Sequence, residues 1–262
     1  MENLMTQIKA LEPGTQWAGR EIVYFEETDS TNRRARLLAQ EGAAHGTLVI
    51  ADTQTAGRGR RGRGWISPAE EGIFMSLLLR PDVHPSQVAK LSLLTALATA
   101  NAIARETGLD ARIKWPNDIV IAGRKVCGML LEMTADEHTV HDVVAGVGIN
   151  VHQRTFDAEI AHTAASLDLL CGRRLSRAAI VCAFLEEFER AMDLSDEAMM
   201  AAYAARSATI GQRVQVIGLT GTFTGVAKAV TESGSLLVED ESGALREVLA
   251  ADVSVRGIMG YA

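Results

Sequence analysis

Four β-rich segments follow one another closely in the middle of this chain, directly after a long helical stretch. They span residues 111–114, 119–121, 126–133 and 143–151. Strands in such close succession pair antiparallel. The stretch before them opens at Pro85-Ser86, ends near Gly108 and reads as a buried helix, which argues against an all-β sandwich. We predict an α+β fold, with a central mixed or antiparallel sheet and helices on one face.

The other periodic segments divide the chain into two parts. The first part adds β-type runs at residues 22–25, 48–51 and 73–79 and helices that end near residues 40, 192 and 206. After Gly211 the chain changes to five short β segments separated by turn residues. About 50 residues make a marginal core, so this second part should dock on the first. We predict a catalytic-type domain at residues 1–208 and a small C-terminal β-barrel at residues 209–262.

The charge balance weakens a nucleic-acid function. Net charge is -7, whereas proteins that bind by neutralising phosphates usually carry a broad basic face. The widely spaced Cys127, Cys171 and Cys182 lack metal-ligand spacing and read as buried hydrophobes in a reducing compartment. Neither a signal peptide nor an uninterrupted run of about 18 apolar residues is apparent. We therefore expect a cytoplasmic protein that does not enter a membrane.

A segment rich in glycine and arginine follows the strand predicted at residues 48–51. It reads TQTAGRGRRGRGW from Thr53 to Trp65 and is called the Gly/Arg loop (residues 53–65) below. Glycine lets backbone N–H groups approach a ligand closely, and arginine supplies permanent charge on a planar fork of donors. These properties suit an anion-binding lid that orders on its ligand. A solvated flexible loop, or a segment that binds RNA non-specifically, explains the same residues.

Three further segments combine turn-forming residues with ligand-binding groups. The segment 114–118 (KWPND) and Lys125 place two ammonium groups and a carboxylate on adjacent predicted strands, which suits a phosphate-bearing ligand. Gly146 and Gly148 would let a ligand lie against a strand backbone. Residues 29–32 offer hydroxyl and amide groups at the start of a helix. A plain hairpin, a bulge and a helix cap account for the same segments, so both interpretations stay open at this point.

In combination and order, these segments resemble the biotin protein ligase family. The resemblance rests on DSTN at 29–32, QTAGRGRRGRGW at 54–65, KWPND at 114–118, GRKVCGMLLE at 123–132 and GVGIN at 146–150. It covers roughly residues 20–260. The resemblance implies a class II synthetase-like catalytic domain followed by an SH3-like β-barrel. No single motif would be specific enough, whereas the ordered set is.

The resemblance also implies roles for individual residues, carried over motif by motif. The biotin-binding positions of the family match Ser30, Thr31, Asn32, Gln54, Arg58, Gly59, Arg60, Lys125, Gly128, Met129, Leu130 and Gly148. The ATP- and adenylate-binding positions match Arg58, Arg60, Arg61, Trp65, Lys114, Asn117, Asp118, Lys125 and Asn150. Lys125 and Arg60 match catalytic positions, and Asp118 matches a position near Mg²⁺.

The reaction implied by the resemblance has two steps. Biotin and ATP, with Mg²⁺, give biotinyl-5′-AMP, and a lysine of a biotin carboxyl carrier protein then takes the biotinyl group. Family members that repress biotin genes carry an N-terminal helix-turn-helix. Because only about 20 residues precede the first predicted strand, we expect a ligase that does not bind DNA. A homodimer, and a role of residues 157–170 around the adenylate, are left open.

Two other functions remain alternatives to a biotin ligase. Lipoate or octanoate ligases and transferases share the core sheet but normally lack a Gly/Arg loop of this type. A non-catalytic biotin-sensing or RNA-binding protein is the alternative of a different class. Retention of Lys125 together with the complete Gly/Arg loop argues against an inactive relative.

Overall fold

A computed structural model of the chain describes residues 3–218, 221–250 and 253–257. Its larger sheet is built from β1 (Ile22–Thr28), β2 (Leu48–Gln54), β3 (Gly72–Leu79), β4 (Arg112–Lys114), β5 (Asp118–Ile121), β6 (Arg124–Ala135) and β7 (Val140–Asn150). Their order across the sheet is β1-β2-β3-β7-β6-β5-β4. β1 and β2 run parallel and the other neighbours antiparallel, so the predicted mixed sheet is confirmed.

Helices pack around this sheet. In the described part of the chain they are α1 (Leu4–Ala10), α2 (Thr31–Gln40), α3 (Val88–Thr107), α4 (Leu167–Cys171), α5 (Arg177–Met192) and α6 (Asp196–Arg206). α3 packs along α5 and ends at Gly108, which adopts the left-handed conformation with φ of 74°. Its apolar stretch is long enough to cross a membrane, but 61% of that stretch is buried inside the protein. This is the buried core helix expected from the sequence.

Each face of the sheet has its own core, because side chains alternate between the faces along a strand. The larger core fills the space between the sheet and α1, α3 and α5, and includes Leu48, Ile50 and Leu77. The smaller core joins the other face to α2 through Ala35, Ala39, Val49, Leu78 and Val144. The α+β class is confirmed, but α2 corrects the expectation that the helices cover one face. Two alanines one turn apart let this short helix lie close to the strands.

Three features of the fold were not anticipated. α1 and α4 are too short to give a clear helical period in the sequence. The parallel pairing of β1 with β2 was also not assigned, because the sequence pattern gave a pairing direction only to the closely spaced strands at residues 111–151. These two strands are joined through α2, and a helical crossover returns the chain in the same direction.

A second sheet follows and docks on the first part of the chain. It contains β8 (Arg213–Gly218), β9 (Gly221–Val230), β10 (Leu236–Asp240), β11 (Leu245–Val248) and β12 (Val253–Gly257), in the order β11-β10-β9-β8-β12. The five predicted β segments are therefore present, while the predicted domain end at residue 262 lies outside the described residues. The buried Trp115 joins the two parts, because its backbone N–H donates to Thr209 Oγ1 and its indole N–H donates to Gly234 O, both at 2.9 Å.

Candidate active site

A floor of glycines lies on the α2 face of the central sheet. Gly128 of β6 is paired with Gly148 of β7, and Gly146 is paired with Leu130 on the same face. The indole of Trp65, at the end of the Gly/Arg loop, lies directly on the first pair. A Cβ on Gly128 would lie 2.8 Å, and one on Gly148 2.7 Å, from atoms of that indole. Only glycine at both positions allows a flat group to rest on these strands.

A series of hydrogen bonds that joins Thr31, Asn32, Gln54, Ser67 and Ser76 borders one end of this floor. It is called the polar chain below. The backbone N–H of Thr31 donates to Gln54 Oε1 at 2.9 Å, and Gln54 Nε2 donates to Ser67 Oγ at 3.0 Å. On the other side, Ser76 Oγ lies 2.8 Å from Thr31 Oγ1 and donates to Asn32 Oδ1 at 2.7 Å. The start of α2 and the end of β2 thus present donors and acceptors at one edge of the glycine floor.

Residues 29–32 are more than a helix cap. Ser30 is the N-cap residue of α2, yet its side chain makes no capping hydrogen bond. Instead, Asp29 Oδ1 accepts the backbone N–H of Ser30 at 2.7 Å, and Asp29 Oδ2 pairs with Arg33 at 2.8 Å. Burial alone would raise the pKa of Asp29, but the Ser30 hydrogen bond and Arg33 hold this pKa below its ordinary value. The Ser30 side chain itself is buried beside the polar chain.

A lysine and a carboxylate lie at the opposite end of the floor. Lys125 Nζ is 2.6 Å from Asp118 Oδ1 and 5.3 Å from the centre of the Trp65 ring. Lys114, which is only 7% exposed, sits opposite Asp118 in the β4–β5 register. Next to them, Asn117 Nδ2 donates to Met129 O at 2.8 Å. Two cationic groups and one carboxylate are therefore gathered where β4, β5 and β6 meet, as the sequence predicted.

The Gly/Arg loop folds as a small hairpin over the site. Trp65 N–H donates to Gly57 O at 2.9 Å, and Gly59 N–H donates to Arg63 O at 2.7 Å. Between these strands, Arg61 turns the chain with φ of 58°. Such a left-handed turn tolerates few side chains, and its arginine points outward with an exposed side chain.

Arg60 connects this loop to two other parts of the chain. Its guanidinium donates to Asn117 Oδ1 at 3.0 Å and to the carbonyl of Ala250, next to β11. Burial lowers the pKa of Arg60 from its ordinary value, and the charge of Asp118 opposes that shift. One side chain thus joins the loop, the hairpin at residues 114–118 and the C-terminal sheet.

The side chains of two predicted site residues, Met129 and Asn150, make contacts away from the other predicted site residues. The side chain of Met129 points into the core on the other face of the sheet, where Thr99 Oγ1 donates to its sulfur at 3.7 Å. The Met129 side chain therefore lies away from the glycine floor, because residues next to Gly128 along a strand face the opposite way. Asn150 lies on the floor side, but its amide nitrogen donates to Ala165 O at 3.2 Å.

The loop after β7 returns to the edge of the site. Lys125 N–H donates to Thr163 O at 2.7 Å, and Ala165 N–H donates to Lys125 O at 2.9 Å. The stretch at residues 157–170, whose role the sequence left open, therefore holds the backbone of Lys125. Ser166 Oγ closes this loop by donating to Gln153 O at 2.6 Å.

Sequence reasoning missed one residue of the polar chain and one that contacts it. Ser76 is fully buried and is the single polar residue of β3, which reads GIFMSLLL. A lone hydroxyl in an otherwise apolar central strand needs a partner, and this was an available signal. Glu132 accepts from Asn32 Nδ2 at 2.9 Å and from Arg58 at 3.1 Å. It was quoted within the GRKVCGMLLE motif without a role.

Comparison with known proteins agrees with these observations. The model of the Biotin/lipoate A/B protein ligase family matches residues 24–150, and that of the Biotin protein ligase C terminal domain matches residues 209–256. The chain is 37% identical over 247 residues to the Bifunctional ligase/repressor BirA of Bacillus subtilis. This alignment covers 92% of this chain and 76% of that protein. It is 35% identical over 237 residues to the Biotin--[acetyl-CoA-carboxylase] ligase of Paracoccus denitrificans. That alignment covers 86% of this chain and 95% of that protein.

A solved structure shares this architecture over most of the chain. The biotin protein ligase from Aquifex aeolicus, in complex with biotin and ATP, superposes with a TM-score of 0.78 at 30% identity. The superposition covers 91% of this chain and 99% of that chain. The resemblance drawn from the ordered motifs is confirmed, and the chain belongs to the biotin protein ligase family.

Proposed function

We propose that this protein activates biotin with ATP as biotinyl-5′-AMP and transfers it to one lysine of a biotin carboxyl carrier protein, of acetyl-CoA carboxylase or a related carboxylase. One observation carries the proposal. The glycine floor under Trp65 has a hydrogen-bonding end at Thr31 and Gln54 and a cationic end at Lys125. Biotin has the same division, with a polar ureido head, an apolar middle and a carboxylate tail.

The biotin head belongs at the polar end in this proposal. Ser30, Thr31, Asn32 and Gln54 offer both donors and acceptors, which a ureido group needs for its N–H groups and its oxygen. Gly128, Leu130 and Gly148 form the floor beneath the apolar part, and Met129 contributes only its backbone. The Gly/Arg loop, with Arg58, Gly59 and Arg60, covers the ligand from above.

The nucleotide belongs at the cationic end. Lys114, Lys125 and Arg60 lie within one neighbourhood, where their charges offset the repulsion between a carboxylate and a triphosphate. Asn117, Asn150 and Trp65 border the same region, and Arg61 adds charge at the rim. We infer these roles from family membership and from position in the site together, and mutation of each residue would test its role.

Mg²⁺ fits this site as an ion shared with the nucleotide. In residues 3–218, 221–250 and 253–257, no three His, Cys, Asp or Glu side chains form a cluster able to hold a metal ion unaided. Mg²⁺ usually takes one or two carboxylates and completes its shell with water and phosphate oxygens. Asp118 is the carboxylate of this site, and we propose it as the protein ligand. When bound, the ion would supply charge neutralisation for the triphosphate.

The chemistry consists of two substitutions at activated centres. A carboxylate oxygen of biotin attacks the α-phosphorus of ATP, an O–P bond forms, and pyrophosphate leaves. The neutral amine of the acceptor lysine then attacks the acyl carbon, AMP leaves, and the amine loses a proton as the amide forms. Lys125 is placed to stabilise the negative charge that builds on the α-phosphate. A closed Gly/Arg loop would exclude water from the hydrolysable anhydride.

Organisation and setting are part of the proposal. We propose the division into a catalytic domain at residues 1–208 and a C-terminal domain at residues 209–262. The acceptor is a protein domain and not DNA or a membrane, and the setting is the cytoplasm.

The test is incubation with biotin, labelled ATP and a carrier domain. We expect biotin-dependent AMP release and labelling of the carrier, and a carrier with its target lysine changed to arginine should remain unlabelled. The rival substrates are octanoate and lipoate, because the matched family includes lipoate ligases. These acids lack a ureido head for the polar end. Transfer of octanoate or lipoate in place of biotin would overturn the proposal.

A further inference from the structure

Glu132 holds two parts of the site at once. Its Oε2 accepts from Asn32 Nδ2 at 2.9 Å and from Arg58 Nη2 at 3.1 Å, while its Oε1 lies 3.3 Å from the same Arg58 nitrogen. Arg36 of α2 lies 3.8 Å from Oε1. The side chain of Glu132 is 21% exposed, whereas that of Arg58 is 46% exposed. A mostly buried carboxylate therefore anchors a more exposed arginine of the Gly/Arg loop.

The same carboxylate continues the polar chain at the start of α2. Asn32 is fixed from both sides, because its Nδ2 also donates to Leu130 O at 3.1 Å and its Oδ1 accepts from Ser76. There is no room for it to shift toward β7, since a Cβ on Gly146 would lie 2.0 Å from Asn32 Oδ1. The Asn32 carboxamide is therefore held in one position, and Glu132 contacts it on the side that faces the Gly/Arg loop.

We propose that Glu132 is a positioning residue of the site, which sets where the Gly/Arg loop closes by holding Arg58 and Asn32 on one carboxylate. This rests on the proposed function and adds to it a residue to which no role has been assigned. The inner end of the loop has its own anchor in Arg60. Glu132 supplies the outer anchor and links it to the residues proposed for the ureido head.

The link explains how head recognition and loop closure would be coupled. A charge-assisted bond holds Arg58 only while Glu132 keeps its position, and Glu132 keeps its position partly through Asn32. The position of Asn32 at the proposed ureido site and the position of Arg58 in the Gly/Arg loop therefore depend on the same carboxylate. Without Glu132, Arg58 would turn to solvent and the hairpin would lose its tether at the bridge between Arg58 and Gly64.

The test compares Glu132→Gln with the wild type by two measurements. These are KM for biotin in adenylate formation and the half-life of enzyme-bound biotinyl-5′-AMP after dilution. Loss of hydrogen bonds to a charged group predicts a rise in KM of about 10- to 100-fold and a half-life shortened by about as much. Glu137→Gln makes the same charge change in the exposed turn after β6 and should match the wild type in both.

A double variant separates positioning from general stability. If Glu132 acts through Arg58, Arg58→Ala combined with Glu132→Gln should be little worse than the more damaging single variant in bound half-life. Additive losses in half-life would overturn the proposal. So would a Glu132→Gln variant that lowers the thermal midpoint but keeps KM and half-life unchanged.

If Glu132→Gln does not fold, Glu132→Asp takes its place, because one methylene less leaves the carboxylate unable to span both partners. An unchanged KM and half-life in that variant would overturn the proposal. Failure of the proposed function looks different, since the wild type itself would then release no biotin-dependent pyrophosphate.

Discussion

Lys125 Nζ lies 2.6 Å from Asp118 Oδ1, so a lysine of β6 is held against a carboxylate of β5 at the edge of the glycine floor. The pairing fixes the ammonium group where we propose that the biotin carboxylate meets ATP. The loop at residues 163–165 holds the Lys125 backbone from the other side. A catalytic cation that is already oriented loses little freedom when its substrates arrive.

Replacement of Lys125 by alanine should abolish adenylate formation and leave the fold intact. Its side chain provides charge at the reacting phosphate, and removal of one such group lowers the turnover of related chemistry by about 100-fold or more. Biotin-dependent pyrophosphate release measures the effect, and circular dichroism checks the fold. Lys228→Ala removes an exposed lysine paired with Glu239 and should change neither. Normal pyrophosphate release by Lys125→Ala would remove Lys125 from its role.

The glycine floor should not tolerate a methyl group at Gly148. The new Cβ would lie 2.7 Å from the Trp65 indole, and a ligand lying on the same strand would meet it too. We expect Gly148→Ala to raise KM for biotin on the order of tenfold or more, while stability changes less because Trp65 sits on a surface loop. Gly14→Ala is the matched control, since its Cβ would make an ordinary contact of 3.7 Å with Glu186. Equal KM values for the two variants would contradict a ligand on this floor.

Much of this architecture follows from local signals in the sequence, and the rest depends on which residues the fold brings together. Proline and glycine mark the ends of α3, and alternation marks the strands. The sequence motif did not show to which side Met129 points, because a motif gives the order of residues and not the face of the sheet. Glu132 and Ser76 were missed because their partners lie far along the chain, at Arg58 and Asn32. Such contacts depend on how a helix, a loop and the sheet pack together, which local patterns do not fix.

Arg60→Gly should loosen control of the intermediate. Arg60 joins the loop to Asn117 and to the carbonyl of Ala250, and glycine would remove both contacts along with a positive charge. We expect biotinyl-5′-AMP to leave the site early and to label exposed lysines of unrelated proteins. Mass spectrometry of a bystander protein in the assay measures this directly. Arg63→Gly changes an exposed arginine of the same loop, and it should label the carrier alone. A selective Arg60→Gly enzyme would count against this role.

Trp115 should contribute strongly to the docking of the C-terminal sheet. Its indole N–H donates to Gly234 O at 2.9 Å, and the side chain is only 1% exposed. Trp115→Phe keeps an aromatic ring but leaves that carbonyl without its donor, which costs about 1–3 kcal/mol in a buried setting. Denaturant unfolding measures the loss. Trp17→Phe, at a partly buried position, serves as the comparison, and an equal effect of the two changes would contradict a special role for Trp115.

His45 should make the fold sensitive to mild acid. Its Nδ1 accepts the backbone N–H of Arg80 at 3.0 Å, and its ring centre lies 4.3 Å from that of Trp17. Burial, and then the charge of Arg80, lower the pKa of His45 below its ordinary value of 6.5. Because the unfolded chain takes up the proton first, this stability is fully present above pH 6.5 and is lost as pH falls through the folded-state pKa.

The measurement for His45 is the denaturant midpoint as a function of pH. We expect the midpoint of the wild type to fall as pH drops below 6.5, because the unfolded chain then binds a proton that the folded His45 does not yet take up. His45→Asn keeps an acceptor near the position of Nδ1 and does not titrate, so it should flatten the curve in this window. His138→Asn, in the exposed turn after β6, should leave the curve of the wild type unchanged. If His45→Asn and the wild type lose stability in parallel, the acid sensitivity arises elsewhere in the protein.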